Sequence, residues 1–166
     1  MSDYTLGVDI GLSINSARVR TETYDDIPQW MPALRLGGNV TRYLSDDNKL
    51  GINVDLATTV TSNKFFTQST VEASAAFRHC LNDRLCIDWL AVGGVGVFTW
   101  NLELSDHAMD AQWGISLNAI SLIVPLAEKH SLRLVPLGAS LLFGGGDRTL
   151  LPHAFISVTW GSTDPN

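Results

Sequence analysis

The chain between residues 6 and 14 reads LGVDIGLSI, and every second residue in it is a large aliphatic one. The residues between them are small or polar: Gly7, Asp9, Gly11 and Ser13. Successive side chains of a β-strand point to opposite sides, so this period of two places the aliphatic side chains on one face. The stretch therefore predicts a β-strand with one apolar face and one face of small and polar residues.

The same alternation recurs along the chain and predicts seven further strands. The segments are 33–44, a run from Leu50 to Ala57, 69–81, 85–100, 112–126, 132–143 and 152–160. Turn-forming residues separate them, for example Ser45-Asp46-Asp47-Asn48. No segment combines helix caps with a period of 3.6, although Ala and Glu within 70–81 favour a helix there. We predict an all-β protein, an eight-stranded antiparallel up-and-down barrel formed by one domain over residues 1–166.

Apolar residues occupy both faces in the predicted fifth, sixth and seventh strands, which indicates β-bulges there.

Composition excludes several classes of function. Of the 166 residues, 45% are hydrophobic and only 17% are charged, against a usual charged share of ~25%. The net charge of -6 has the wrong sign for a protein that binds nucleic acid. The mean hydropathy is +0.12, yet no apolar run approaches the ~18 residues of a spanning helix. The apolar character must therefore belong to the strands.

Residue size indicates which face of the barrel is inside. The polar face is built from small residues, which suit the crowded interior of a narrow eight-stranded barrel. Only three lysines occur, and Lys49, Lys64 and Lys129 all lie in or beside predicted turns. This pattern favours a transmembrane barrel with its apolar face toward lipid. The alternative is a soluble lipocalin-like barrel, in which the same apolar residues would line a ligand cavity.

The aromatic residues are expected to form two belts at the membrane interfaces. The belt at one rim comprises Tyr4, Tyr43, Trp89 and Trp160. The belt at the other rim comprises Trp30, Trp100 and Trp113, together with Tyr24, Phe65 and Phe66.

With these features the sequence resembles the small outer-membrane β-barrels of Gram-negative bacteria, the OmpA/OmpX-like class, over nearly its whole length. The resemblance rests on the eight alternating segments, on short turns at one rim with somewhat longer connections at the other, and on a last strand, AFISVTW at 154–160, that ends in an aromatic residue. The family usually ends at that aromatic residue, whereas here 161–166 follow it.

The resemblance implies a bacterial outer-membrane location, with a lipopolysaccharide-containing bilayer as the partner and a monomer favoured. The N-terminus has no apolar segment or cleavage site of a signal peptide, as expected of a mature form.

Several charged and amide side chains lie mid-strand on or near the polar face and predict a polar network in the lumen. They are Asp9, Asn53, Asp55, Glu72, Arg78 and Asp88. Arg78 is the one basic residue that we place mid-strand among the carboxylates, so it should be the counter-charge for Asp9, Asp55 or Asp88, with Arg35 or Arg133 as further candidates. The alternative is a polar conduit or ligand site.

No catalytic or metal-binding motif is present. Small outer-membrane lipid deacylases carry His-x-Ser, but the residues two places after the four histidines are Leu81, Met109, Leu132 and Phe155. The group Asp106, His107 and Asp110 in a polar loop is typical of a solvated segment. We expect no enzymatic activity, no cofactor and no metal. The predicted function is structural or binding, with outer-membrane passage of small or hydrophobic molecules as the alternative.

The two cysteines, Cys80 and Cys86, flank a predicted turn at residues 82–84. That turn would place them opposite each other, which makes a disulfide feasible in an oxidising compartment. Two buried free thiols are the alternative.

Overall fold

The computed structural model describes residues 4–21, 24–45, 49–62, 66–101, 109–127, 129–144 and 147–161. Its eight strands are β1 (Tyr4–Thr21), β2 (Tyr24–Tyr43), β3 (Leu50–Ser62), β4 (Phe66–Asn82), β5 (Leu85–Asn101), β6 (Met109–Ala127), β7 (His130–Gly144) and β8 (Asp147–Gly161). Each strand pairs antiparallel with its neighbours in sequence, and β1 pairs with β8 to close the barrel. The predicted all-β, eight-stranded antiparallel barrel is confirmed.

The described part of the chain has no helix that is long and apolar enough to cross a membrane.

The alternation of polar and apolar residues in the sequence determines which side chains face the lumen and which face outward. Asp9 is 1% exposed, whereas Val8 beside it is 66% exposed. The aliphatic side chains predicted for the outer face are exposed, namely Leu6, Val8, Ile10, Leu12, Leu50, Ile52, Val54, Leu56 and Ile156, except that Val158 is half-buried. A continuous apolar band of this kind is stable against lipid and not against water. The barrel is therefore transmembrane, and the lipocalin-like alternative is wrong because the apolar face points outward.

The hairpin of β1 and β2 is longer than the sequence predicts. The predicted second strand begins at residue 33, but β2 begins at Tyr24, so the expected connection over 24–32 is wrong. Proline is uncommon within strands because it lacks an N–H, yet Pro28 pairs with Arg18 and Pro32 with Ile14. β2 pairs with β3 only from Leu34 onward, so the prolines lie where β2 is an edge strand, which tolerates a residue without an N–H.

The last strand is also longer than predicted. β8 begins at Asp147 instead of Pro152, because the ladder between β7 and β8 continues to the pair of Gly144 and Asp147. The expected connection over 144–152 is therefore wrong as well.

β5, β6 and β7 change phase at one level, in the strands where the sequence indicated bulges, and the pairing register shifts there between β4 and β5 and between β7 and β8. In each strand two consecutive residues face outward: Trp89 and Leu90, Ala119 and Ile120, and Pro136 and Leu137. Leu90 has a φ of 50°, a conformation that L side chains rarely adopt. At each of these positions the set of alternate residues that faces the lumen changes from odd to even numbers or the reverse. Apolar residues at both odd and even positions of one strand can therefore all face the lipid.

Seven tyrosine and tryptophan residues predicted for the two belts lie toward the two ends of the barrel, whereas Phe66, also predicted there, is buried with 5% exposure. Tyr4 begins β1, Tyr43 ends β2 and Trp160 lies one residue before the end of β8. These strand ends, with the turns after β2, β4 and β6, define what we term the terminal rim, and Trp89 lies five residues into β5 from it. The opposite end, the loop rim, carries exposed Trp30, Trp100 and Trp113.

Candidate functional site in the barrel lumen

The lumen of the described structure holds a network of three arginines and four carboxylates. They are Arg35, Arg78, Arg133, Asp9, Asp55, Glu72 and Asp88. All except Arg78 are less than a tenth exposed, and the side chain of Arg78 is 11% exposed. They face inward because each occupies the polar phase of its strand.

Arg78 and Asp88 form the ion pair nearest the terminal rim. The two residues lie opposite each other on β4 and β5. Arg78 Nε and Nη2 donate to the two Asp88 carboxylate oxygens at 2.7 and 2.9 Å, and Nη1 donates to Thr41 Oγ1 at 2.8 Å. Of the three carboxylates predicted as partners for Arg78, Asp88 is the one that pairs with it. This two-point geometry fixes the guanidinium against one wall of the lumen.

Arg35 and Arg133 form the centre of the network, which corrects the expectation of Arg78 as the one mid-strand base. Their Nη2 and Nη1 atoms lie 2.7 and 3.1 Å from Asp55 Oδ2. Arg133 Nη2 also lies 3.9 Å from Asp88 Oδ2, so Arg133 connects the two carboxylates across the lumen. The period of two does predict that Arg35 and Arg133 face the lumen, because each lies between two leucines on the apolar phase of its strand.

Phe155 lies against both of these arginines, near the middle of β8. It is 4% exposed, and the guanidinium carbons of Arg35 and Arg133 lie 4.0 and 5.5 Å from its ring centroid. Phe155 is not among the lumen residues predicted from the sequence. Cation–π contact holds the aromatic ring and the two charges in one layer of buried side chains.

Glu72 links the network toward the loop rim. Its Oε2 lies 3.6 Å from Arg35 Nη1, and its Oε1 accepts hydrogen bonds from Ser116 at 2.6 Å and Asn118 at 3.4 Å. Asn118 Oδ1 lies 2.8 Å from His153 Nε2. These contacts continue the polar network without another charge pair.

Asp9 and Asn53 belong to the half of the lumen near the terminal rim. Asp9 accepts hydrogen bonds from Asn39 Nδ2 at 2.9 Å and from Thr159 Oγ1, and within the described ranges it forms no ion pair with Arg78. Asn53 Oδ1 accepts from Thr41 Oγ1 at 2.9 Å. The structure thus stabilises the Asp9 carboxylate with neutral donors.

A small cavity lies on the loop-rim side of Arg35 and Glu72. Its volume is about 30 Å³. Among the described residues, several buried polar atoms of the lumen have no hydrogen-bond partner: Ser13 Oγ, Arg35 Nε, Asp55 Oδ1, Ser121 Oγ, Arg133 Nε and Nη2, and Ser157 Oγ. Only Ser13 and Arg35 of these residues line the cavity.

The cysteines lie outside this network. Cys80 and Cys86 lie directly opposite each other near the β4–β5 turn and are joined by a disulfide.

Within the described residues, no group of three His, Cys, Asp or Glu side chains could hold a metal ion. The loop with Asp106 and His107 lies outside the described residues.

Solved structures of other proteins share this architecture, although no protein-family model and no curated protein matches the chain. Ail, the attachment invasion locus protein of Yersinia pestis, is 11% identical with a TM-score of 0.57, and the match covers 97% of this chain and 99% of Ail. Neisserial surface protein A is 12% identical with a TM-score of 0.53, covering 98% of both chains. The N-terminal β-barrel domain of Pseudomonas aeruginosa OprF is 11% identical with a TM-score of 0.57, covering 93% of this chain and 96% of that domain.

These neighbours are small eight-stranded outer-membrane β-barrels. At such low identity the likeness shows the fold alone, and it agrees with the predicted eight-stranded transmembrane barrel.

Proposed function

We propose that the protein is a plugged bacterial outer-membrane barrel with a structural or binding role and without catalytic activity. The observation that supports this proposal is a layer of buried side chains in which Phe155 contacts Arg35 and Arg133, and these arginines lie close to Asp55 and Asp88. Eight strands leave an interior that side chains alone can fill. A layer of buried, paired charges is also costly to displace, because removing one partner leaves the other uncompensated.

A catalytic role would require a nucleophile next to an organised base. His153 is the histidine that faces the lumen in the described structure, and its Nε2 is engaged by Asn118. No described serine or threonine hydroxyl forms a hydrogen bond to it. The arrangement supports a structural or binding role over hydrolysis.

Single-channel recording in planar bilayers tests the plug. The unmodified protein should insert without producing discrete conductance steps. Arg133→Ser removes the side chain that joins Asp55 to Asp88 and should produce steps or a raised noise level. Arg84→Ser changes an exposed turn residue and serves as the control. Regular steps from the unmodified protein would contradict the plug and favour passage of small molecules.

A further inference from the structure

A groove lies on the lipid-facing surface of the barrel, where Gly38 interrupts a wall of large side chains. In the pairing register, Gly38 lies between Val8 of β1 and Leu56 of β3. The volume of the groove is about 400 Å³. Exposed apolar side chains line it around the glycine, namely Leu6, Val8, Val40, Leu56 and Trp160.

The groove offers a lipid an apolar surface. Gly7 and Asn39 also line it, but both lie on the lumen-facing phase of their strands, and Asn39 Nδ2 donates to Asp9 Oδ2 at 2.9 Å. Lipid chains are as apolar as these aliphatic side chains, so removal from water does not drive a chain into the groove. A lipid retained there must be held by close packing in the groove and by recognition of its headgroup.

A positive charge lies beyond the groove on the side of the terminal rim. Arg42 is exposed and follows Val40 by two residues, on the same outward-facing phase of β2. Its guanidinium carbon lies 5.5 Å from the ring centroid of Tyr4, which precedes Leu6 by two residues on β1. Among the described residues, Arg42 forms no ion pair. A guanidinium in cation–π contact still has N–H groups with which it can bind an anion.

The order of these groups along β2 matches the order of groups in a phospholipid. Arg42 and Gly38 are four residues apart, which is about 13 Å along a strand, or nearly half of the ~30 Å hydrocarbon core. The charge therefore lies at the rim and the groove lies deeper in the membrane. The net charge of the chain is -6, so a preference for anionic lipid would have to come from a local site such as this one.

We infer that this groove, together with Arg42, binds one anionic phospholipid from the leaflet at the terminal rim. The phosphate pairs with Arg42, and one acyl chain lies in the groove over Gly38. An anionic headgroup is favoured over a zwitterionic one, because the ammonium of a zwitterionic headgroup offsets the charge of its phosphate. The inference goes beyond the proposed function and does not depend on the plug, since the groove lies on the outer surface of the barrel.

The test is native mass spectrometry of the refolded full chain, titrated in detergent with two lipids that have the same acyl chains. Dioleoylphosphatidylglycerol is anionic, and dioleoylphosphatidylcholine is zwitterionic. The unmodified protein should retain one molecule of the anionic lipid with roughly 5-fold higher affinity, the effect expected of one arginine near a headgroup. Arg42→Gln should remove this preference. Arg84→Gln, which changes an exposed arginine of the β4–β5 turn at the same rim, should preserve it.

A second pair of variants tests the groove itself. Gly38→Leu fills the groove and should weaken the binding of both lipids roughly 5-fold or more. The variant should fold, because a Cβ at Gly38 would meet only the backbone oxygen of Gly7, at 3.4 Å. Gly94→Leu is the matched control and should bind both lipids normally. Gly94 is exposed on β5, does not line the groove, and has nothing within 4 Å of an added Cβ.

Three results would overturn the inference. Equal affinities of the unmodified protein for the two lipids, or equal effects of Arg42→Gln and Arg84→Gln, would show that Arg42 does not select the headgroup. Equal effects of Gly38→Leu and Gly94→Leu would show that the acyl chain does not lie in the groove. A dimer that forms without lipid and is abolished by Gly38→Leu would assign the groove to a second copy of the chain.

Discussion

Replacing Arg78 with Met should lower the free energy of unfolding by about 3–5 kcal/mol, the range for breaking a buried ion pair. Asp88 is fully buried and accepts hydrogen bonds from Arg78 at both of its oxygens. Met retains an apolar side chain of similar length but no charge. The loss therefore comes mainly from a buried carboxylate without its main counter-charge.

One contact and one exposed side chain place the expected loss of stability near the lower end of that range. Arg133 Nη2 remains 3.9 Å from Asp88 Oδ2 and supplies part of the missing positive charge. The side chain of Arg78 is 11% exposed, so lumen water reaches this end of the pair and weakens the interaction. Thr41 loses a donor but keeps its own hydrogen bond to Asn53.

The measurement is urea unfolding of the refolded protein in lipid vesicles. The double variant Arg78→Met with Asp88→Asn should recover part of the loss, because a neutral amide needs no counter-charge. Arg84→Met, in the exposed β4–β5 turn, should change stability by no more than about 0.5 kcal/mol. If the Arg78 and Arg84 variants unfold at the same urea concentration, the reasoning fails and Arg78 does not face the lumen.

Three further outcomes test the barrel itself. Leu56→Arg, at the middle of β3, should lower the free energy of unfolding in vesicles by about 2–4 kcal/mol. Leu50→Arg, at the terminal rim, should lower it by only about 0–1 kcal/mol. Equal losses would contradict the placement of β3 in the membrane. Gly93→Ala should reduce folded yield on a gel-shift assay, because its Cβ would lie 2.0 Å from a backbone oxygen of β4, while Gly94→Ala, with nothing within 4 Å, should fold normally. Reduction of the disulfide, which joins residues six apart, should cost about 2 kcal/mol in urea unfolding, and an unchanged midpoint would show that it does not constrain the unfolded chain.

The period of two was sufficient to predict which residues face the lumen wherever a strand keeps one phase. Asp9 and Asp55 show this, since both face inward as the alternation requires. The partners of these residues could not be obtained in the same way. Whether Arg133 on β7 meets Asp55 on β3 depends on the stagger of all the strands between them, and that stagger is a property of barrel closure.

The strand ends were harder to predict because local composition and pairing disagree there. Pro28 and Pro32 resemble loop residues. They nevertheless belong to β2, because β1 pairs with them on one side and the other side of β2 is unpaired at that level. The bulge at Leu90 was expected only as a region, because alternation cannot identify the residue at which the phase changes.

The ion pairs of the lumen also differ in when they can form as the barrel assembles. Arg78 and Asp88 are ten residues apart in one hairpin, so their charges neutralise each other as soon as β4 and β5 pair. Arg133 meets Asp55 only when the sheet has curled far enough to bring β7 across from β3. An unclosed sheet within the bilayer would thus leave Arg133 without Asp55 and with only its 3.9 Å contact to Asp88, a weaker compensation of its charge that is unfavourable in hydrocarbon. That penalty acts against a stalled intermediate and gives the final joining of β1 to β8 an electrostatic driving force.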